Sequence, residues 1–387
     1  MSFVPDDLID PMTRLPVEIS SDILAQSLPM PRWGVWKTLT VLLRVCHRWR
    51  EIALSSPAVW STISDEGIPV AKFVDLLDIW LARAGELPVS VTLSYADLFT
   101  LPGILLTLKK HVHRIQSLHV LTIYADVKEM TFPMPALRSL TLASMELSAS
   151  QALELLRAAP SLVECNFDQV YFEWDTTPMP LTHPKLRELR FGRLHLRCCS
   201  AELLRYLTLP ALRTLAISLS KISVEDLCAF LTRSAPPLRH LHLRVREEDI
   251  GDELGIIPVL ELMPGLTDLE IVSPAPSKRT AFGVFAAAPH LLPGLQNLLV
   301  DEQYRHSAED YQLVLDFLEK RRALMRSLWF VVEEEERVFD SEDEGGVGGA
   351  LRAFRTEGMR VHFGRYDSYY LMENGSSVGF APRFMYI

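Results

Sequence analysis

The sequence has little cysteine, and its five, Cys46, Cys165, Cys198, Cys199 and Cys228, include no CxxC spacing. An odd number with one adjacent pair argues against a disulfide framework and suits a reducing compartment. No apolar h-region follows the acidic start MSFVPDDLIDP, so a secretory leader is not expected. The longest uncharged run, 280–300, holds Pro289, His290, Pro293, Gln296 and Asn297. These would leave polar groups unsatisfied in lipid, so no membrane association is expected, and the chain reads as cytoplasmic and/or nuclear. A basic excess is also missing. The net charge is -10, but eight acids between Glu333 and Glu344 against Arg337 alone give a local -7, leaving -3 for the other 375 residues. A near-neutral body argues against a nucleic-acid groove, which needs basic excess on the scale of the domain.

Motifs of catalysis are absent from the sequence as well. There is no nucleophile elbow, Walker loop, HExxH, glycine-rich dinucleotide loop or Cys/His zinc set. His111, His113 and His119 cluster, yet no cysteine or suitably spaced carboxylate completes a metal site, so they read as structural. The GGVGG run at 345–349 lacks the Lys-Ser/Thr of a phosphate loop and reads, with the acidic stretch, as a flexible loop over 333–348. Within it, Ser341 followed by Glu342, Asp343 and Glu344 matches an acidophilic-kinase site. The expectation is a non-catalytic protein without cofactor or metal.

What the chain does have is a repeat. The pattern apolar-x-x-apolar-x-apolar, usually two residues after a proline, begins at positions 115, 137, 162, 186, 212, 238, 266, 295 and 325, in steps of 22 to 30 residues. PALRSLTL (135–142), PALRTLAI (210–217) and PPLRHLHL (236–243) are clear copies. Each ends in a period-two stretch that predicts a strand, and most are followed by about ten amphipathic residues that predict a helix. Ser148 with Gln151, Ser223 with Asp226, and Ser307 with Asp310 have capping-box spacing. A strand plus a helix per ~25 residues cannot bury its own apolar face, so copies must stack, with parallel strands on a concave side and helices on a convex one. The predicted class is α/β.

The leucines of the pattern read as core. Side chains two apart on a strand share a face, so Glu188, Arg190, His240, His242, Arg244, Asp268, Glu270, Asp301 and Trp329 fall on the opposite one. Arg190, His242, Glu270 and Trp329 share one offset, as do His119, Thr141, Asn166, Ala216 and Leu299, and stacking predicts a row across the sheet. An Arg and a Trp make this row the candidate surface for a protein target. The plainer reading is a solvated face.

The periodicity resembles that of leucine-rich repeats over about residues 85 to 365. The resemblance departs at the position that normally holds Asn or Cys, where Met145, Val170, Leu194 and Ser220 stand. It implies an irregular solenoid.

Ahead of the repeats the texture differs. Ile19, Ile23 and Leu24 fall on one helical face, and residues 35–60 hold two short helices' worth of pattern. Three short helices in under fifty residues make a marginal core that a partner would complete. Leu15-Pro16, Glu18-Ile19, Ile23-Leu24, Val45-Cys46-x-x-Trp49-Arg50-x-Ile52-Ala53 and Pro57-x-x-Trp60 resemble the F-box motif, with a long connection at 29–34. The resemblance implies docking on a Skp-type adaptor and through it a cullin scaffold. Leu15, Pro16, Ile19, Ile23, Leu24, Val45, Cys46 and Trp49 would face the adaptor; the plainer reading of Ile19, Leu24, Trp49 and Ile52 is that they hold the three helices together, and for some of them both readings apply. The combination is similar to fungal F-box proteins with leucine-rich repeats.

The expected organisation is an N-terminal tail (1–12), an F-box (13–60), a helical bridge (61–86) carrying Phe73, Leu76, Leu77, Trp80, Leu81 and Ala84, the repeats (87–365), and a C-terminal segment (366–387). The expected function is that of a substrate-receptor subunit of a cullin-RING ubiquitin ligase. A leucine-rich-repeat scaffold outside any ligase is the alternative.

Overall fold

The computed structural model describes residues 12, 14–28, 35–94, 101–121, 131–173, 178–192, 201–219, 222–245, 256–273, 281–302, 308–332 and 347–364. The chain divides into two compact units, Met1–Met179 with His195–Cys198, and Pro180–Leu194 with Cys199–Ile387. Both are mixed α/β, built on parallel strands.

The first unit opens with α1 (Val17–Gln26), α2 (Val35–Val45) and α3 (His47–Ser55), closed by a 3-10 turn, Pro57–Trp60. Pro16 precedes α1, where its missing N–H costs no hydrogen bond. The Cys46 Sγ accepts the Trp49 amide and caps α3. Leu39, Ile52 and Ala53 are buried, and the Trp60 indole donates to the Ala53 carbonyl at 2.7 Å. Next come β1 (Thr62–Ser64) and α4 (Val70–Arg83). Phe73, Leu77, Trp80 and Leu81 of α4 are buried, and Trp80 meets Trp36, Trp60 and Phe73 at centroid distances of 5.7, 6.1 and 6.4 Å. The bridge helix thus completes the core that three short helices cannot build alone.

The remaining elements of this unit are β2 (Val89–Leu93), α5 (Leu101–Lys109), β3 (Ile115–Leu121), β4 (Ser139–Ala143), β5 (Glu146–Ser148), α6 (Ala149–Ala158), β6 (Glu164–Asp168) and β7 (Tyr171–Glu173). Strands β1, β2, β3, β4 and β6 are parallel neighbours in that order, and β5 pairs with β7. The sheet therefore starts at Thr62, inside the segment read as a bridge, because a three-residue strand is too short to show a period.

The second unit contains β8 (Leu181–Thr182), β9 (Glu188–Phe191), a 3-10 turn Ala201–Tyr206, β10 (Leu207–Thr208), β11 (Thr214–Ser218), α7 (Val224–Ser234), β12 (His240–Arg244), α8 (Ile257–Glu261), β13 (Asp268–Ser273), α9 (Ala281–Ala287), β14 (Asn297–Glu302), α10 (Ala308–Lys320), β15 (Ser327–Val332), α11 (Val347–Thr356) and β16 (Arg360–Gly364). Strands β9, β11, β12, β13, β14, β15 and β16 follow one another in parallel, and β8 pairs with β10.

All nine copies of the sequence pattern end in parallel strands, three in the first unit and six in the second, and the first apolar residue of every copy, from Ile115 to Met325, is buried. Core residues stack in register, as in Leu189–Leu215–Leu241–Leu269–Leu298–Leu328. At ~25 cal/mol per Å² each buried leucine contributes about 2 kcal/mol. Two capping predictions are met: Ser148 and Gln151 form a reciprocal capping box, and the Ser223 Oγ accepts the Asp226 amide. Ser307 lies outside the described residues.

The glycine run requires a correction. Residues 347–349 form the first turn of α11 rather than a loop. Two glycines there cost about 1 kcal/mol each, and burial of Leu351 and Phe354 farther along offsets it. The acidic residues 333–346, Ser341 included, and the C-terminal segment 366–387 lie outside the described residues. Among the described residues no helix is long and apolar enough to cross a membrane.

Candidate interaction surfaces

The N-terminal helices bury one set of apolar residues and expose another. Leu24 is 1% exposed, whereas Ile19 is 48%, Ile23 43%, Val41 61% and Val45 52% exposed. The contrast follows from helical spacing: Ile19 and Ile23 stand one turn apart on α1, and Val41 and Val45 one turn apart on α2. Helix α1 spends its inner face on α3 and the Pro57–Trp60 turn, while α2 packs on α3 and β1.

Of the eight residues expected to face an adaptor, Pro16, Ile19, Ile23 and Val45 are exposed, and Leu15, Cys46 and Trp49 are half-buried. Leu24 is core, so its place in that set is corrected: it holds the helices together. Val17 and Val41, exposed on the same helices, escaped the sequence reading because the F-box resemblance alone chose the residues.

The second surface is the polar face of the strands. In the second unit the pairing places Arg190, Ala216, His242, Glu270, Leu299 and Trp329 opposite one another on successive strands. The offset read from the sequence thus makes a row in this unit. His119, Thr141 and Asn166 form the corresponding row in the first unit. The sequence reading missed His362, which extends the second unit's row onto β16 and stacks on Trp329 at a centroid distance of 4.7 Å. Its signal was the alternation Met359, Val361, Phe363, without the proline that marks other copies.

Charges on this face meet partners close by. Arg190 Nε lies 2.6 Å from Glu188, His240 Nδ1 3.1 Å from Asp268, and His242 Nδ1 3.0 Å from Glu270. Burial works against the charged form of Asp268, but hydrogen bonds from His240, Thr267 and Asn297 outweigh it and hold the carboxyl below its ordinary pKa. Burial pushes the His362 imidazole down, with Arg355 adding to the effect. Arg190, His242 and Trp329 are half-buried and Glu270 is buried, so the row offers edges and rings rather than long free side chains.

Among the described residues no group of three metal-ligating side chains converges. His113 faces Glu86 at 3.9 Å and His119 hydrogen-bonds Ser117. Cys46, Cys165 and Cys228 are not disulfide-bonded, and burial pushes the Cys165 thiol far up, leaving it unreactive.

Compared with protein-family models and with curated proteins, the chain matches none.

Proposed function

We propose that the chain is a substrate-receptor subunit of a Skp-cullin-F-box ubiquitin ligase, with α1–α3 as the F-box docking a Skp-type adaptor and irregular leucine-rich repeats holding a target protein. The observation that carries this reading is the apolar exposure of Ile19, Ile23, Val41 and Val45 on two short helices that bury Leu24, Leu39 and Leu42 on another face. Exposed large apolar residues gathered on one module mark an interaction surface. Their burial under a partner supplies the anchors on which affinity concentrates. The F-box resemblance of Leu15-Pro16 through Trp60 points to the adaptor as that partner.

The target would lie on the polar strand face, centred on Arg190, His242, Glu270 and Trp329. Its mixed polarity favours a protein segment over nucleic acid. No chemistry is asked of this chain. It acts by proximity, raising the effective concentration of a bound lysine at the conjugating enzyme carried by the cullin.

Affinity purification of the tagged chain tests the proposal. The wild type should bring down adaptor and cullin, and Leu15→Ala with Pro16→Ala should lose both at unchanged expression. Retention of both by that variant would sink the adaptor assignment. Adaptor recovered without cullin would support the scaffold reading instead.

A further inference from the structure

The second unit carries a row of arginines that the preceding surfaces do not use. Arg187, Arg213 and Arg239 occupy the position just before β9, β11 and β12, and all three are exposed. Backbone bonds fix them as neighbours: the Arg213 amide donates to the Arg187 carbonyl at 2.7 Å, and the Arg239 amide to the Arg213 carbonyl at 2.9 Å. The ladder continues through Thr267 and Gln296 to Arg326, which is also exposed. Six successive positions thus hold four arginines and no acid. At ~4.8 Å between strands the row is about 24 Å long.

Among the described residues, none of the four guanidiniums has an ion pair or side-chain hydrogen bond. Two carboxylates on these strands are engaged elsewhere, Glu188 with Arg190 and Asp268 with His240, Thr267 and Asn297. Several other arginines of this unit are committed: Arg205 to Asp226, Arg322 to Glu357, and Arg233 and Arg321 to backbone carbonyls. Among the described residues, four unpaired guanidiniums therefore stand in one register.

We infer that this row binds an acidic, Asp/Glu-rich segment of the target protein, laid across the strands. The inference rests on the receptor reading above and names the chemistry its target must present. Charge complementarity selects the class, since each guanidinium offers a carboxylate a bidentate pair. The charges lie in an open line rather than converging in a pocket, which fits a run of single carboxylates better than one phosphate. A nucleic acid would require basic excess on the scale of the domain, and this chain has a net charge of -10.

Fluorescence anisotropy with the purified full chain tests it. The probe is a labelled peptide of alternating Glu and Ser, about ten residues long, enough to cross the row at ~3.3 Å per residue. It should bind at low salt and weaken steeply as ionic strength rises past ~0.1 M. Arg187→Gln with Arg213→Gln and Arg239→Gln should weaken it roughly 30-fold, about 3-fold per exposed charge pair, without change in melting temperature. Arg138→Gln, whose arginine has no arginine at the adjoining positions Gln116 and Val163, should have no effect. Equal binding by the triple variant, equal binding of the Gln version of the peptide, or no binding at low salt would each overturn the inference. So would a much tighter phosphoserine peptide or single-stranded oligonucleotide, by assigning the row to that ligand. Ile19→Asp with Ile23→Asp should leave peptide binding intact, so failure of the row and failure of the adaptor assignment are read separately.

Discussion

The α1–α3 module and the polar strand face of the second unit solve opposite problems. The module exposes valine and isoleucine with nothing to cover them, while the strand face sets Arg190 against Glu188, His240 against Asp268 and His242 against Glu270. An uncovered apolar surface gains free energy from almost any well-shaped cover, so it supports a strong and permanent partner. A face of internally paired charges gains little from burial, since a ligand must replace each pair it breaks, and it discriminates instead. On the proposed function, the difference would give affinity to the first region and choice to the second.

The largest expected effect breaks the support beneath the module. Trp80→Ala removes the ring that meets Trp36, Trp60 and Phe73 and should cost about 3 to 5 kcal/mol in denaturant unfolding. A cost near zero would show that the module does not need α4. A sharper form compares two residues adjacent in sequence. Leu24→Ala should destabilise by about 2 to 4 kcal/mol and Ile23→Ala by under ~0.5, because only the first is core. Similar costs for the two would erase the distinction between inner and outer faces.

On the strand face, Arg190→Ala with Trp329→Ala should reduce target recovery by roughly tenfold or more in quantitative pull-down, with adaptor recovery unchanged. Full retention of every specific partner would move the target site off this face. The smallest effect is one of pH. Because the folded Asp268 carboxyl sits below its ordinary pKa, its contribution to stability is present above about pH 4 and is lost as pH falls through the folded value. Asp268→Asn should flatten that acid limb by about 1 kcal/mol or less in thermal melts across the acid range. An unchanged acid limb would show that Asp268 gains nothing from its partners.

Much of the fold was legible because the apolar period is a direct image of the core. Nine copies marked nine strands, and the shared offset of Arg190, His242, Glu270 and Trp329 foretold their row. What escaped lacked a period or depended on tertiary neighbours. Thr62–Ser64 is too short to alternate visibly, and β16 lacks the introducing proline. Leu24 and Ile23 are both apolar and adjacent, and only the packing of α1 on α3 decides which is surface. The arginine row could have been noticed in the repeated Leu-Arg of PKLR, PALR and PPLR, but whether those charges were paired required the side-chain geometry.

Isothermal titration of the full chain with a purified Skp-type adaptor tests the central claim most directly. The account predicts saturable one-to-one binding that Ile19→Asp with Ile23→Asp weakens by about 3 kcal/mol or more, with the melting temperature of the free chain unchanged. No heat of binding from the wild type, or equal affinity in the double variant, would contradict it.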